Sequence, residues 1–376
     1  MDIIVGIGKF VLNLIYKILK FFPVKNKIVF LSRQHDKSNM DFDLLKNQIK
    51  KDHPEYEVVI LTKMIHEGLV SKLGYIYHMF VQMFHLATSK VAIIDTYCIT
   101  VSILHHKKSL KVIQLWHAIG AFKKFGYSIL GQEEGASEHV AKLMNMHENY
   151  DYVCTSSIHT VPFFAEAFHV EESKMIVKPL PRLDILLEES YQENIKEQIY
   201  SKYAWLKDNK KKVILYAPTF RKNGQDMKPP VEELYQYIDK DKYILIVKFH
   251  PLTKQNVNIE GVLQDTAFDT LEMCLVADYV ITDYSAFVYE AAMLKKPLFF
   301  YAFDFASYHK NRNFYIDFEK DLPQKIMVSA KEVIHAIEHD GYDLNKIEEF
   351  VQWNISPPEK TYTKDLSDFI FNNCIN

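Results

Sequence analysis

Cysteine is scarce in this sequence. Its four residues, Cys98, Cys154, Cys274 and Cys374, lie far apart, and no C-x-x-C pair occurs. That spacing argues against a disulfide framework or a cysteine metal site, and a reducing compartment is the default. A surplus of positive charge is missing too. The chain carries 45 Lys and Arg against 48 Asp and Glu, a net charge of −3, so no overall field calls for nucleic acid. No run of 18 apolar residues is free of charge, so no transmembrane helix is expected. No small-residue cleavage site follows the apolar N-terminal stretch, and a signal peptide is not expected either. Short-period repeats and low-complexity tracts are absent.

What is present suits a globular protein of two domains. A length of 376 residues allows two cores. The 25 Phe and 23 Tyr fit large cores or a surface that meets lipid. The chain is organised around residues 277–294, which read as buried strand, polar turn (Asp283, Tyr284, Ser285) and helix. A helix start carries unpaired N–H groups and partial positive charge, so such a turn suits a phosphate. Ser285 adds a hydroxyl there, and equally suits a plain N-cap.

At the N-terminus, residues 3–22 wound at ~100° per residue place Lys9, Asn13, Lys17 and Lys20 in one polar sector. Ile3, Ile4, Ile7, Val11, Leu14, Ile15 and Ile18 fall opposite. Three lysines without an acid match a helix lying in an anionic membrane interface. The same pattern also suits a terminal helix docked on the protein's own core. Pro23 ends the segment. A second helix, 68–89, is unusually aromatic. Tyr75, Met79, Met83 and Leu86 are expected to pack inward. Tyr77, Phe80 and Phe84 are expected in the core as well, with a second membrane-facing surface as the alternative.

Buried strands are predicted at 27–33, 57–62, 91–95, 111–117, 152–156 and 175–178. A charged segment, 188–212, reads as a helix and then a loop. Strands resume at 212–219, 243–249, 277–282 and 297–301, and helices close the chain at 329–338 and 363–371. Strands alternating with helices imply parallel sheets covered on both faces. The expected fold class is therefore α/β, with two Rossmann-like parallel-sheet domains facing across a cleft. Expected boundaries are 1–23 for the amphipathic helix, 24–195 for the first domain and 196–376 for the second. Ligands of such sheets sit beyond the carboxyl ends of strands, and the chemistry-bearing residues lie there.

His117 follows the strand KVIQLW. It suits a general base, or a histidine satisfied by backbone in a turn. Arg182 follows the strand at 175–178 and can clamp a phosphate bidentately. Asp184 either orients it or caps a helix. Thr219 and Arg221 follow the strand at 212, with a capped turn and a surface arginine as the plain reading. His250 ends the next strand, ahead of Pro251. Glu290 lies beyond the Asp283–Ser285 turn, within reach of a ribose or in solvent. Together these place two His, two Arg and a Ser at the ends of separate strands in both halves, as binding a diphosphate requires.

The set, in this order, resembles the CDP-glycerol glycerophosphotransferase family of teichoic-acid synthesis. The resemblance rests on WHAIGAFKKFG at 116–126, PLPRLD at 179–184, YAPTFR at 216–221, KFHP at 248–251 and ITDYSAFVYE at 281–290. It implies a GT-B fold and transfer of glycerol phosphate or ribitol phosphate from a CDP-alditol donor, with release of CMP. The implied acceptor is a hydroxyl of a lipid-linked saccharide or of a growing poly(alditol phosphate). By motif position it implies His117 and His250 as catalytic residues, and Arg182, Arg221 and Ser285 at the donor phosphates. Thr219, Asp283 and Glu290 complete the expected donor set. The segment G-A-F-K departs from the W-H-G-T-P-L-K of many glycerol-transferring members and is similar to members that include ribitol-phosphate transferases.

The expectation is then an enzyme at the cytoplasmic face of the membrane, peripheral to an anionic surface. It has no protein metal site, and any Mg²⁺ is carried by the donor diphosphate. Rival readings are a GT-B glycosyltransferase using a nucleotide sugar, which would release a nucleoside diphosphate, a nucleotide-sugar epimerase of the same shape, and a non-catalytic membrane-docked module.

Overall fold

The computed structural model describes residues 2–132, 135–221, 224–250, 253–311 and 313–375. The chain divides into two compact units. The first holds 1–119, 124–184 and 356–376; the second holds 120–123 and 185–355.

The first unit is built on a six-stranded parallel sheet. Its strands are β1 (Lys27–Ser32), β2 (Glu57–Thr62), β3 (Val91–Ile94), β4 (Lys111–Gln114), β5 (Tyr152–Thr155) and β6 (Met175–Val177), in the spatial order β2-β1-β3-β4-β5-β6. All its pairings are parallel. β1 and β3 are buried along their whole length, while β2 and β6 at the edges are only partly covered. This is why the central strands read as unbroken apolar runs.

The second unit repeats the plan. Its strands are β7 (Lys212–Tyr216), β8 (Tyr243–Val247), β9 (Val262–Gln264), β10 (Tyr279–Thr282), β11 (Leu298–Tyr301) and β12 (Ile326–Met327), in the order β12-β11-β10-β7-β8-β9, again all parallel. The sequence reading misses β9 and β12. These edge strands of three and two residues are too short to carry a period.

The unit boundaries differ from the expected ones at both ends. The first unit stops at Asp184 rather than near 195, and the C-terminal 356–376 returns to it. The reason is local bonding. Asp184 accepts the backbone N–H groups of Tyr362 (2.7 Å) and Thr363 (2.8 Å), holding the start of the helix Tyr362–Ile370. The ring of Phe371 then stacks on His53 at 3.5 Å.

The helices of the first unit include α1 (Asp2–Leu19), α2 (Met40–Asp52) and α3 (Leu69–Thr88). α1 docks with its polar side inward. Lys9 Nζ donates to the Leu143 carbonyl (3.0 Å) and to Asn145 Oδ1 (2.8 Å). Asn13 donates to the Ile103 carbonyl and accepts from the His105 N–H, and Lys20 Nζ donates to the His105 carbonyl. Tyr16 is buried, with its hydroxyl 2.9 Å from His106 Nδ1. The apolar side is left open, with Ile3 79% and Phe10 70% exposed and Ile4, Ile7, Leu14, Ile18 and Phe21 alike.

Two expectations are corrected. Of the lysines assigned to lipid headgroups, Lys9 and Lys20 instead strap the helix to the protein. Tyr77, Phe80 and Phe84 of α3 are exposed rather than core, together with Leu69, Val70, Leu73 and Ile76. Tyr75, Met83 and Leu86 do pack inward. Phe22 and Phe84 meet edge to face at 5.7 Å, which joins the two apolar surfaces. No helix among the described residues is long and apolar enough to cross a membrane.

Candidate active site

In the first unit the carboxyl ends of β1, β3 and β4 gather around His117. Its Nδ1 lies 2.9 Å from the Asp95 carbonyl. A carbonyl only accepts, so Nδ1 carries the proton and Nε2 keeps the lone pair. Gln34 Nε2 stands 3.2 Å from Nδ1 and 3.3 Å from Nε2. Burial pushes the His117 pKa down to about 4, assisted by the charge of Arg182, so the ring is neutral at neutral pH. The peptide ahead of it is unusual. Trp116 has φ +63°, a left-handed conformation that costs a non-glycine residue roughly 1–2 kcal/mol.

Arg182 is tied to Asp41 of α2. Its Nε and Nη2 donate to Asp41 Oδ2 at 2.9 and 2.6 Å, and its backbone N–H donates to Asp41 Oδ1 at 2.8 Å. Nη2 also reaches the His117 carbonyl at 3.3 Å. The guanidinium is tied to a buried carboxylate and frames the histidine loop. Asn39 caps α2 through the Phe42 N–H and donates to Asp95 Oδ2 at 2.9 Å. Burial raises the Asp95 carboxyl to about 6.

In the second unit the ends of β7 and β10 meet. Asp283 is buried. Its Oδ1 accepts from Thr219 N–H (2.8 Å) and Tyr284 N–H (2.6 Å), and its Oδ2 accepts from Arg221 Nη2 (2.8 Å). Arg221 also donates from Nε to Asp304 Oδ2 (2.8 Å) and from Nη1 to the Thr219 carbonyl (2.7 Å). Its guanidinium carbon lies 4.7 Å from the Tyr308 ring centre and 5.3 Å from that of Tyr284. With its side chain only 3% exposed, Arg221 is a strut joining three loops.

Thr219 Oγ1 is buried without a hydrogen-bond partner among the described residues. Ser285 is half-buried, and its Oγ accepts from the Phe287 N–H at 3.3 Å, at the start of the helix Phe287–Met293 that carries half-buried Glu290. His250 is solvent-accessible, three residues past β8. Partial desolvation and the charge of Lys123 lower its pKa. Pro251 lies outside the described residues. Gly120 sits so close to Tyr289 that a Cβ there would come within 2.2 Å of the ring.

Among the described residues no cluster of three or more His, Cys, Asp or Glu is arranged to hold a metal ion. The sequence reading missed Asp41, Asp95 and Asp304. Asp95 had a signal, a carboxylate closing a buried strand. Asp304, three residues past β11, had the same positional signal as His250, whereas Asp41, inside α2, had none.

Two parallel six-stranded units, with His117 at one set of strand ends and Thr219, Asp283 and Ser285 at the other, define an α/β fold of the GT-B type. The chain belongs to the family described as CDP-glycerol:poly(glycerophosphate) glycerophosphotransferase, which matches residues 14–372. It is 33% identical to a teichoic acid ribitol-phosphate primase of Bacillus spizizenii, covering 97% of this chain and 96% of that protein. It is 29% identical to a teichoic acid glycerol-phosphate primase of Bacillus subtilis, covering 78% and 77%. In fold it is similar to the wall teichoic acid polymerase TagF soaked with CDPG, with a TM-score of 0.75 at 21% identity, covering 97% of this chain and 94% of that one.

Proposed function

We propose that this enzyme transfers ribitol phosphate from CDP-ribitol to a hydroxyl of a lipid-linked saccharide, releasing CMP, in teichoic-acid synthesis. The observation that carries the reaction is His117, neutral and held through Nδ1 with its Nε2 lone pair retained. The acceptor hydroxyl attacks the alditol-bearing phosphorus in line. The O–P bond forms as the P–O bond to CMP breaks, and Nε2 takes the proton. His250 offsets charge on the departing phosphate. Thr219 Oγ1, Ser285, Asp283 and Glu290 form the donor side. Arg182 and Arg221 act by holding the loops that carry these groups. Any Mg²⁺ arrives with the donor diphosphate, and turnover in excess chelator tests this.

Ribitol is favoured over glycerol because the ribitol-phosphate primase aligns over nearly its full length, whereas the glycerol-phosphate primase aligns over about three quarters. CMP release from CDP-ribitol and CDP-glycerol, each with a lipid-linked acceptor, tests the reading. Release from CDP-glycerol alone would overturn the alditol, and release from neither would overturn the reaction.

The enzyme works at the cytoplasmic membrane surface, resting on lipid through the apolar faces of α1 and α3. The support is the inverted docking of α1. A helix held only by its own protein buries its apolar stripe, whereas this one buries hydrogen-bonded polar groups and leaves isoleucines and phenylalanines open. Each such side chain contributes about 1.5–3 kcal/mol on full burial.

A further inference from the structure

The left-handed peptide at Trp116 calls for a reason. A turn that merely needed this backbone would take glycine without penalty. Tryptophan at φ +63° persists only if its surroundings over-determine it, and here they do. The indole stacks on Phe125 at 4.7 Å and 15°, meets Phe168 edge-on at 5.1 Å, and lies 4.0 Å from the His117 ring.

Below it, Gln114 is fully buried at the end of β4. Its Oε1 accepts from the Trp116 N–H at 2.9 Å. Its Nε2 donates to the Thr96 carbonyl at 3.2 Å and to the Tyr150 hydroxyl at 3.3 Å. That hydroxyl lies 3.0 Å from His147 Nδ1. His147 is held neutral by burial, so its Nδ1 can accept and the Tyr150 hydroxyl can donate. The chain of donors and acceptors is consistent from the carboxamide to the second histidine, and it leaves Gln114 one orientation.

We propose that Gln114 and Trp116 are positioning residues. The carboxamide pins the left-handed Trp116 peptide, and that peptide turns the next residue so that His117 Nδ1 meets the Asp95 carbonyl and Nε2 keeps its lone pair. Neither residue touches substrate. Both act through the tautomer and aim of His117, and the inference rests on the reading of His117 as the base.

The test uses the full-length protein with nitrogen-15-labelled histidine, in which magnetic resonance reads which ring nitrogen of His117 carries the proton. Wild type is expected in the Nδ1–H form. Gln114→Leu, which leaves the Trp116 N–H without its acceptor, is expected to give mixed tautomers. It should lower kcat for CMP release about a hundredfold with donor KM within about twofold. Gln114→Glu keeps an acceptor oxygen for the Trp116 N–H but loses the bond donated to the Thr96 carbonyl, so it should restore both signals only in part.

A folded Gln114→Leu variant with an unchanged tautomer and unchanged kcat overturns the proposal. Should that variant not fold, Phe125→Leu removes the ring beneath Trp116 without breaking a side-chain hydrogen bond and is judged on the same readouts. If wild type releases no CMP from either donor, the proposed reaction fails, while the tautomer comparison still decides the positioning role.

Discussion

Arg221 and Asp283 form a buried ion pair, Nη2 to Oδ2 at 2.8 Å, with side chains 3% and 0% exposed. Removing one partner of such a pair leaves an uncompensated charge, at a cost of about 3–5 kcal/mol. Asp283 also accepts two backbone N–H groups, so Asp283→Ala is expected to lose at least that much in urea denaturation. Unchanged stability, with only donor KM raised, would return Arg221 to the phosphate.

His117→Gln is expected to lower kcat by about 10²–10⁴ while leaving donor KM nearly unchanged. Because the His117 pKa lies near 4, the acid limb of kcat/KM should fall well below pH 6. An acid limb near the ordinary histidine pKa of about 6.5 would identify a different base.

Acid should destabilise the fold through its buried histidines. Burial lowers His106, His117 and His147 each to about 4. Between that value and about 6.5 the unfolded chain binds protons that the folded one refuses, so stability falls as pH falls. Asp95, raised to about 6, and Glu272, raised by burial, work the other way over part of this window, but His78, His85 and His250, also lowered by burial, add to the three histidines. Urea midpoints are expected to be lower near pH 5 than near pH 7.5.

Membrane binding should depend on apolar contact rather than on charge. The protein is expected to sediment with neutral phosphatidylcholine vesicles and to stay bound at about 0.5 M salt, where exposed charges are screened. Ile7→Glu with Phe10→Glu should release it, because both side chains are exposed on α1. Release by salt alone would favour a charge-driven interface.

Gly120→Ala is expected to destabilise the second unit by about 1–3 kcal/mol through overpacking, since the new Cβ would press on Tyr289. Tyr289→Leu in the same chain should recover part of that loss, a non-additive result readable in a double-mutant cycle.

Composition and period alone determined much of this protein. Ten of the twelve strands were legible as apolar runs closed by polar residues, because a central parallel strand is buried on both faces and leaves no alternation to misread. The places of His117, Thr219, Asp283 and Ser285 just beyond strand ends were legible for a related reason, since each follows one of those apolar runs. Tertiary structure decided what those residues are tied to. Arg182 and Arg221 read as free cations, yet each is held by a carboxylate distant in sequence, Asp41 in one case and Asp283 with Asp304 in the other. The helical period of α1 separates a polar from an apolar face but carries no sign for which one turns inward. Hydrogen-bond acceptors at residues 103–105 and 143–145, brought together only by the fold, decided that the polar face is the buried one.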